Sequence, residues 1–139
     1  VRDVQFALEA DVKEVVLTGV HLGSWGKDFS SPQHLSDLIR HLLADTDVKR
    51  LRVSSMEPWN LDENFFDLWQ DPRLCRHLHL PLQSGSKTVL RRMARKTTPG
   101  AFAKLVRAAR ERIPAVAITT PAKAPTRACE EDEGSRATR

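Results

Sequence analysis

The sequence predicts an α/β protein in which parallel strands alternate with helices, and three observations support this. Short runs rich in β-branched or alternating apolar residues begin near positions 14, 49, 76 and 115 of the 139-residue chain. Apolar residues at helical spacing occupy the segments between these runs. Each interval leaves room for a helix, and a strand–helix–strand crossover joins parallel neighbours. A hydrophobic content of 40% is sufficient for one domain core.

The first third of the chain predicts one strand between two helices. Residues 1–10 resemble the end of an amphipathic helix, and residues 14–18 are a β-branched run followed by a glycine, typical of a buried strand. Ser31 and Pro32 supply an N-cap and a proline at the first helical position. The apolar stripe of the helix that follows consists of Leu35, Leu38, Ile39, Leu42 and Leu43.

The middle of the chain predicts two further strands with a short helix between them. Residues 47–56 form the second strand. Asn60 is placed to cap the helix, whose apolar residues are Phe65, Phe66, Leu68 and Trp69. Residues 76–82 form the third strand, because three leucines alternate there with His77, His79 and Pro81.

Two helices and a fourth strand complete the predicted fold. Ser84 or Ser86 caps the first helix, and Thr98–Pro99 begins the second. Residues 115–119 form the fourth strand. The buried face of the first helix is predicted to consist of Val89, Leu90 and Met93.

Four parallel strands leave two open edges, and closing a barrel requires more strands than four. We therefore expect residues 1–120 to form one domain that is an arc of an α/β barrel. The alternative architecture is a flavodoxin-like doubly wound sheet. Residues 121–139 contain no large apolar side chain, which predicts a disordered polar tail.

Composition narrows the classes of function. The net charge of +4 fits a nucleic-acid partner. No apolar run approaches the roughly 20 residues of a membrane span, so we expect a cytoplasmic protein without a membrane partner.

Cys75 and Cys129 are too few and too far apart for a disulfide framework or a CxxC metal site. Cys75 is expected to be half-buried, and Cys129 to be an exposed thiol in the tail. No P-loop, GxGxxG or Ser–His–Asp pattern supports nucleotide hydrolysis or acyl transfer.

The carboxyl ends of the first three predicted strands are rich in Gly, Ser, His and Gln, whereas the opposite ends carry ordinary loop residues. The three segments are Thr18–Gly26, Ser54–Asn60 and Pro81–Ser86. Ligands of parallel α/β proteins bind at the carboxyl ends of strands, where loops and helix N-termini converge. This asymmetry predicts a ligand site at that edge.

Individual residues of these segments have two interpretations each. The N–H groups at Gln83–Ser86 are placed either to bind a carboxylate or nucleoside, or to be capped by the serines. Ser54 and Ser55 are placed either to donate to ribose hydroxyls or to form a strand-end turn. Glu57 is either a ligand contact or a solvated loop acid.

Two further groups of side chains raise specific hypotheses. His21, His77 and His79 would form a metal site if they converged, but their spacing is unfamiliar and favours buried, hydrogen-bonded histidines. Nine basic residues against one acid lie between positions 87 and 112. They form either an RNA-phosphate surface or the solvated outer face of two helices. Arg95 stands out, because it ends the helix that begins at the Gln83–Ser86 segment.

The strand-end segments resemble the methylthiotransferase branch of the radical S-adenosylmethionine (SAM) enzymes. The similarity covers about residues 1–120. Within the branch, the loop Leu17–Ser24 is similar to the subfamily that modifies threonylcarbamoyladenosine beside the tRNA anticodon. The isopentenyladenosine and ribosomal-protein branches usually carry a glutamine in that loop. The segments that carry the resemblance are EVVLTGVHLGSWG (14–26), RVSSMEP (52–58), HLHLPLQSGS (77–86) and LRRMAR (90–95).

The resemblance implies a partial TIM-type barrel and a set of cofactors. In that family a [4Fe-4S] cluster on a CxxxCxxC loop cleaves S-adenosyl-L-methionine. A second cluster on an N-terminal domain supplies sulfur, and a C-terminal TRAM domain binds the tRNA. The implied function is the addition of a methylthio group to N6-threonylcarbamoyladenosine.

The resemblance also implies which residues bind SAM. Residues after the first strand would lie by its methionine end, and those after the second strand near its ribose. Residues after the third strand would lie beside the cofactor, and an arginine after the next helix would pair with its carboxylate. These residues are Thr18, Gly19 and His21; Ser54 and Ser55; Gln83 and Ser84; and Arg95.

The chain departs from the family pattern in three ways. It contains no cysteine triplet, it lacks the cluster-binding and TRAM domains, and Pro121 begins a charged segment where the family continues with Gly-Phe-Pro-Gly-Glu-Thr. These departures predict an internal fragment that is inactive alone, with an end that reflects a frameshift, an altered splice or a gene-model error. The alternatives are a remnant that binds SAM or RNA without turnover, and a truncated product without function.

Overall fold

A computed structural model describes residues 1–61 and 63–121, and the predicted disordered tail lies outside this part except for Pro121. Helices and strands alternate as predicted. No helix in these two ranges is long and apolar enough to cross a membrane. In chain order the elements are α1 (Arg2–Glu9), β1 (Val15–Leu17), a 3₁₀ turn (Leu22–Ser24), α2 (Leu35–Asp45), β2 (Leu51–Val53), two 3₁₀ segments (Pro58–Asn60 and Glu63–Gln70), β3 (His77–His79), α3 (Lys87–Arg92), α4 (Pro99–Arg112) and β4 (Ala117–Thr119).

The four strands pair in parallel as β1–β2 and β3–β4, which confirms the prediction of parallel units. The two pairs meet between β2 and β3. Leu51 forms a bridge with Leu74 at the amino end. At the carboxyl end the Met56 N–H donates to the His79 carbonyl at 3.1 Å. The strands therefore follow one another in chain order.

Each strand is three residues long, shorter than the sequence predicts, and local backbone chemistry explains two of the differences. Pro81 follows β3 after one residue and has no N–H to donate to the ladder. Ala115 was expected in β4 but has a φ of 56°, the left-handed conformation, which excludes it from a strand.

One face of the strands is packed against helices. Leu51, Val53 and Leu78 are at most 1% exposed. They belong to a single buried cluster with residues of α2, the 3₁₀ segment Glu63–Gln70 and α4. The members contributed by these helices include Ile39, Leu42, Phe66, Trp69 and Ala109, and Ile113, directly after α4, also belongs to the cluster.

The opposite face of the same strands is polar and only partly covered. Side chains alternate between the two faces of a strand, so the neighbours of the buried residues point away from the helices. Val16 is 48% exposed, Arg52, His77 and His79 are half-buried, and Thr119 is exposed. Parallel strands are usually covered on both faces. In the part of the chain that the structure describes, this strand face is therefore open.

The helix starts show which capping predictions were correct. The Thr98 hydroxyl accepts the Ala101 N–H at 3.1 Å and Pro99 is the first helical residue, as predicted. Ser86 caps α3 by accepting the Val89 N–H at 3.4 Å. Met93 was predicted to be buried, but α3 ends at Arg92 and the Met93 side chain is 39% exposed.

Two capping predictions were wrong. α2 begins at Leu35 and not after Ser31–Pro32, because His34 and Asp37 form a reciprocal capping box. Residues before His34 are held in a turn in which the Gln33 N–H donates to the Gly26 carbonyl at 3.0 Å. Asn60 caps no helix: it ends the 3₁₀ turn Pro58–Asn60.

Matched valine substitutions test the two-faced packing. We expect Val53→Ala to lower the free energy of unfolding by about 2 kcal/mol, because it removes methyl groups from a site that is 1% exposed. Val20→Ala removes the same atoms at a site that is 90% exposed and should change stability little. Urea denaturation followed by circular dichroism measures both. Equal unfolding midpoints for the two variants would contradict the packing.

Candidate functional site

The loops after β1 and β2 contact each other closely at the carboxyl edge of the strands. A 3₁₀ turn at Leu22–Ser24 buries Leu22 and brings Gly23 against Asn60. A Cβ at Gly23 would lie 2.6 Å from the Asn60 Cβ, so only glycine permits this approach. The loop contact thus depends on one glycine of the predicted ligand-binding segment.

A buried carboxylate joins the same two loops. Glu57 is 6% exposed, and its Oε1 accepts a hydrogen bond from His21 Nδ1 at 2.8 Å. Asn60 Nδ2 donates to the other oxygen at 3.3 Å. Of the two interpretations of Glu57 from sequence, the solvated loop acid is therefore wrong. The His21 side chain is itself 74% exposed, so the expectation of a buried histidine is wrong for this residue.

Opposing effects set the charge state of Glu57. Burial acts to raise the pKa of its carboxyl, whereas hydrogen bonds from His21, Asn60 and backbone N–H groups lower it. The hydrogen bonds prevail and hold the pKa below its usual value. At neutral pH the Glu57 carboxylate is therefore ionised, and it lies against the exposed imidazole of His21.

Arg95 reaches this region from the turn after α3. Its N–H donates to the Leu90 carbonyl at 3.0 Å, and Ala94 before it has a φ of 52°. The guanidinium carbon lies 5.9 Å from the centre of the Trp59 ring, within range of a cation–π interaction. Arg95 is thereby brought into the same region as His21 and Asn60.

These side chains line a cleft of about 450 Å³. Its walls come from the β1 loop, the 3₁₀ turn after β2 and the turn after α3. The polar and aromatic residues of the lining are His21, Ser24, Lys27, Trp59, Asn60, Arg95 and Lys96. Sequence reasoning missed Lys27, included Trp59 only as a member of the segment Ser54–Asn60, and included Lys96 only among the nine basic residues between positions 87 and 112. The only available signal for Trp59 was its place two residues after Glu57 in a strand-end loop.

The other predicted SAM-binding residues lie at the carboxyl ends of the strands but do not line this cleft. Thr18 and Gly19 are exposed after β1. The Ser54 N–H donates to the Leu17 carbonyl at 2.9 Å, which places Ser54 beside the end of β1. Ser55, the next residue, is exposed.

Gln83 and Ser84 lie on the β3–β4 side of the strands. Gln83 has a φ of 76°, and its N–H donates to the Pro121 carbonyl at 2.9 Å. Ser84 is 7% exposed, and its hydroxyl accepts the Ser86 N–H at 3.1 Å. The Ser84 side chain therefore helps to open α3, and Ser86 is the cap.

The histidines do not gather around one point. His79 Nδ1 lies 2.9 Å from the Thr119 hydroxyl, which in turn lies 3.2 Å from His77 Nε2. His21 pairs with Glu57 in a different loop. Burial lowers the pKa of His77, aided by the nearby charges of Arg52 and His79. In residues 1–61 and 63–121, no three His, Cys, Asp or Glu side chains are arranged to hold a metal ion.

A second polar cluster occupies the amino end of the open strand face. Arg52 Nε donates to Glu14 Oε1 at 2.9 Å, and Arg50 also pairs with Glu14 at 3.0 Å. The Cys75 thiol, half-buried as predicted, lies 3.9 Å from the same carboxylate. The hydrogen bond from Arg52 is the main cause that lowers the pKa of Glu14.

A larger groove, of about 570 Å³, lies at the amino ends of the strands. Its lining includes Leu8, Lys13, Asp45 and Lys49, a mixture of both charges without an aromatic ring. The carboxyl-end cleft is smaller but combines an aromatic ring, three cations and the exposed His21, which is hydrogen-bonded to the buried Glu57 carboxylate. The carboxyl-end cleft is the candidate site because of the side chains that line it and not because of its volume.

The fold and the cleft define the chain as a parallel α/β protein with a candidate ligand site at the carboxyl ends of its strands. No protein-family model matches the chain. Comparison with individual proteins does find relatives. It is 36% identical over 124 residues to the threonylcarbamoyladenosine tRNA methylthiotransferase MtaB of Bacillus subtilis (strain 168), covering 86% of this chain and 27% of the relative.

Two synthases of 2-methylthio-N6-dimethylallyladenosine in tRNA are similarly close. The one from Anoxybacillus flavithermus is 37% identical over 122 residues, or 86% of this chain and 23% of the relative. The one from Syntrophobacter fumaroxidans is 32% identical over 120 residues, or 86% and 26%. The chain is a homologue of the methylthiotransferases, which confirms the predicted resemblance. It spans about a quarter of the length of these relatives.

The Glu57–His21 pair gives a prediction about pH. Because the folded pKa of Glu57 is lowered from 4.5, the pair stabilises the fold above that value, and this stability is lost as pH falls through the folded pKa. We expect Glu57→Gln to be less stable than the natural chain at pH 7. The difference should shrink as the pH is lowered towards 3.

Urea denaturation at pH 7, 5, 4 and 3 measures this difference. Asp28→Asn, a change of an exposed loop carboxylate, serves as the control and should leave the pH dependence almost unchanged. A Glu57→Gln difference that stays constant from pH 7 to pH 3 would contradict the assigned charge state.

Proposed function

We propose that this chain is part of the radical SAM barrel of a tRNA methylthiotransferase. The observation that carries the proposal is the coincidence of motif and geometry. The segments that resemble the family are the loops that follow parallel strands at one edge. Within that edge, Gly23, His21 and Glu57 fasten the first two loops together. The names of three relatives that are 32–37% identical support the reaction class.

The finer substrate in this proposal is N6-threonylcarbamoyladenosine in tRNA. The loop Leu17–Ser24 supports it, since its sequence is similar to that subfamily. The MtaB relative of Bacillus subtilis, whose name includes threonylcarbamoyladenosine, also supports it. Other relatives of comparable identity are named for dimethylallyladenosine, so the subfamily depends mainly on the loop.

SAM is the proposed cofactor of the complete enzyme, held at the carboxyl ends of the strands. Backbone at Thr18 and Gly19 would approach its methionine end, and the hydroxyls of Ser54 and Ser55 would donate to its ribose. The exposed position of Thr18, Gly19 and Ser55, with Ser54 beside the end of β1, supports this arrangement. Gln83, Ser84, His21 and Arg95 complete the proposed set of SAM-binding residues.

The residues of this chain do not fit a [4Fe-4S] cluster. Such a cluster takes three cysteines from a CxxxCxxC loop in this family, and the chain has two cysteines in all. Cys75 precedes β3, and its thiol faces the Glu14 carboxylate. In the complete enzyme, the cluster domains and the TRAM domain would come from other parts of the protein.

A chimera tests the function directly. We expect residues 1–120, exchanged for the matching segment of Bacillus subtilis MtaB, to restore methylthiolated threonylcarbamoyladenosine in a strain that lacks MtaB. The same exchange into a dimethylallyladenosine synthase should work less well if the subfamily assignment is correct. Mass spectrometry of digested tRNA measures both products.

Variants of the chimera separate the site from the scaffold. Arg95→Ala should reduce the product at least tenfold, whereas Arg107→Ala on the outer face of α4 should leave it within about twofold. A soluble chimera that yields no methylthio nucleoside, with or without these changes, would contradict the proposed function.

The isolated chain is expected to be inactive. Incubated anaerobically with iron, sulfide, dithionite and SAM, the 139-residue chain should form no 5′-deoxyadenosine, because its two cysteines cannot supply three thiolates. Liquid chromatography with mass spectrometry detects the product. A chain that formed it above the level of a Cys75→Ser control would overturn this expectation.

A further inference from the structure

The cleft beside Trp59 carries two cations, Lys27 and Lys96, that the SAM assignment does not explain. Three of its lining residues are cations: Lys27, Arg95 and Lys96. No carboxylate lines it, because the nearby Glu57 is buried and bonded to His21. SAM carries a sulfonium and an ammonium against one carboxylate, so a surface of three cations favours a more anionic ligand.

The aromatic ring in this cleft adds a second recognition element. Trp59 is half-buried, and the Arg95 guanidinium lies 5.9 Å from its ring centre. An indole with a guanidinium near it is a platform on which a flat base stacks, and stacking is tolerant of base identity. A flat base joined to a phosphate is the ligand that matches both elements.

The loop that carries Lys27 is held in place by contacts within the protein. Trp25 and Phe29 pack edge to face with ring centres 5.1 Å apart, and they flank Lys27 in the chain. Gly26 has a φ of 79°, and its carbonyl accepts the Gln33 N–H. The loop that carries Lys27 is therefore held by its own contacts, which lowers the entropic cost of binding.

We propose that this cleft binds one nucleotide of single-stranded RNA. Its base stacks on Trp59, and its phosphates lie between Lys27 and Lys96. This proposal rests on the proposed function, because tRNA is the substrate of that reaction. The bound nucleotide would be one near the modified adenosine. Its lining shares His21 and Arg95 with the proposed SAM-binding set, whereas the other six members of that set lie outside the lining: Thr18, Gly19, Ser54, Ser55, Gln83 and Ser84.

A fluorescein-labelled adenosine-rich RNA octamer and the 139-residue chain test the proposal by fluorescence anisotropy. We expect Trp59→Leu to weaken binding at least fivefold, because it keeps apolar bulk but removes the stacking surface. Trp59→Phe should stay within about twofold. Lys27→Ala with Lys96→Ala should reduce the slope of log affinity against log salt by about 0.7 for each phosphate that is no longer neutralised.

The matched control removes two charges elsewhere. Arg107→Ala with Arg110→Ala, on exposed positions of α4, should leave affinity within about twofold and the salt slope unchanged. Circular dichroism confirms that each variant folds, and the exposed lysine pair gives a result even if Trp59→Leu does not fold.

Three outcomes would overturn the proposal. Binding that ignores both Trp59→Leu and the lysine pair would exclude this cleft, and an equal weakening in the α4 control would place RNA on the helices. Absence of any salt-dependent binding would exclude an RNA site on the chain. The chimera reports methylthio transfer independently, so a working chimera with an indifferent cleft would refute this site and leave the function standing.

Discussion

Burial of one strand face against helices is the constraint on which the rest of the structure depends. Three-residue strands have little ladder of their own, and their position is set by side chains such as Leu51, Val53 and Leu78, which are almost completely buried. Because side chains alternate, fixing these residues also fixes where Arg52, His77 and His79 point. The open polar face and the carboxyl-end loops are consequences of that packing.

The buried Glu57 carboxylate fixes the loops after β1 and β2 relative to each other. A charge at 6% exposure requires compensating hydrogen bonds, and it finds them in His21 from one loop and Asn60 from its own. The tight contact between Gly23 and Asn60 brings the two loops within reach. Because Glu57 is buried beneath His21, no carboxylate lines the cleft, and its cations Lys27, Arg95 and Lys96 favour an anionic ligand.

Local signals in the sequence predicted the alternation of elements, the parallel pairing and the Thr98 cap, since each depends on neighbours in the chain. Ser31–Pro32 misled because the turn from Gly26 to Gln33 and the His34 capping box compete with it. The cation–π contact between Trp59 and Arg95 joins residues 36 positions apart and depends on tertiary packing, so no periodicity could predict it. The observed strand pairing does not distinguish a partial barrel from a doubly wound sheet. Both architectures therefore remain predictions made from the sequence.

The most direct test of the central claim, that ligands bind at the carboxyl ends of the strands, is an NMR titration of the ¹⁵N-labelled chain with SAM. The account predicts that amide shifts concentrate at Gly19, His21, Ser54, Ser55 and Ser84, with smaller changes at Arg95. Shifts confined to the amino-end groove around Leu8, Lys13 and Lys49 would contradict it, because they would place the ligand at the opposite edge.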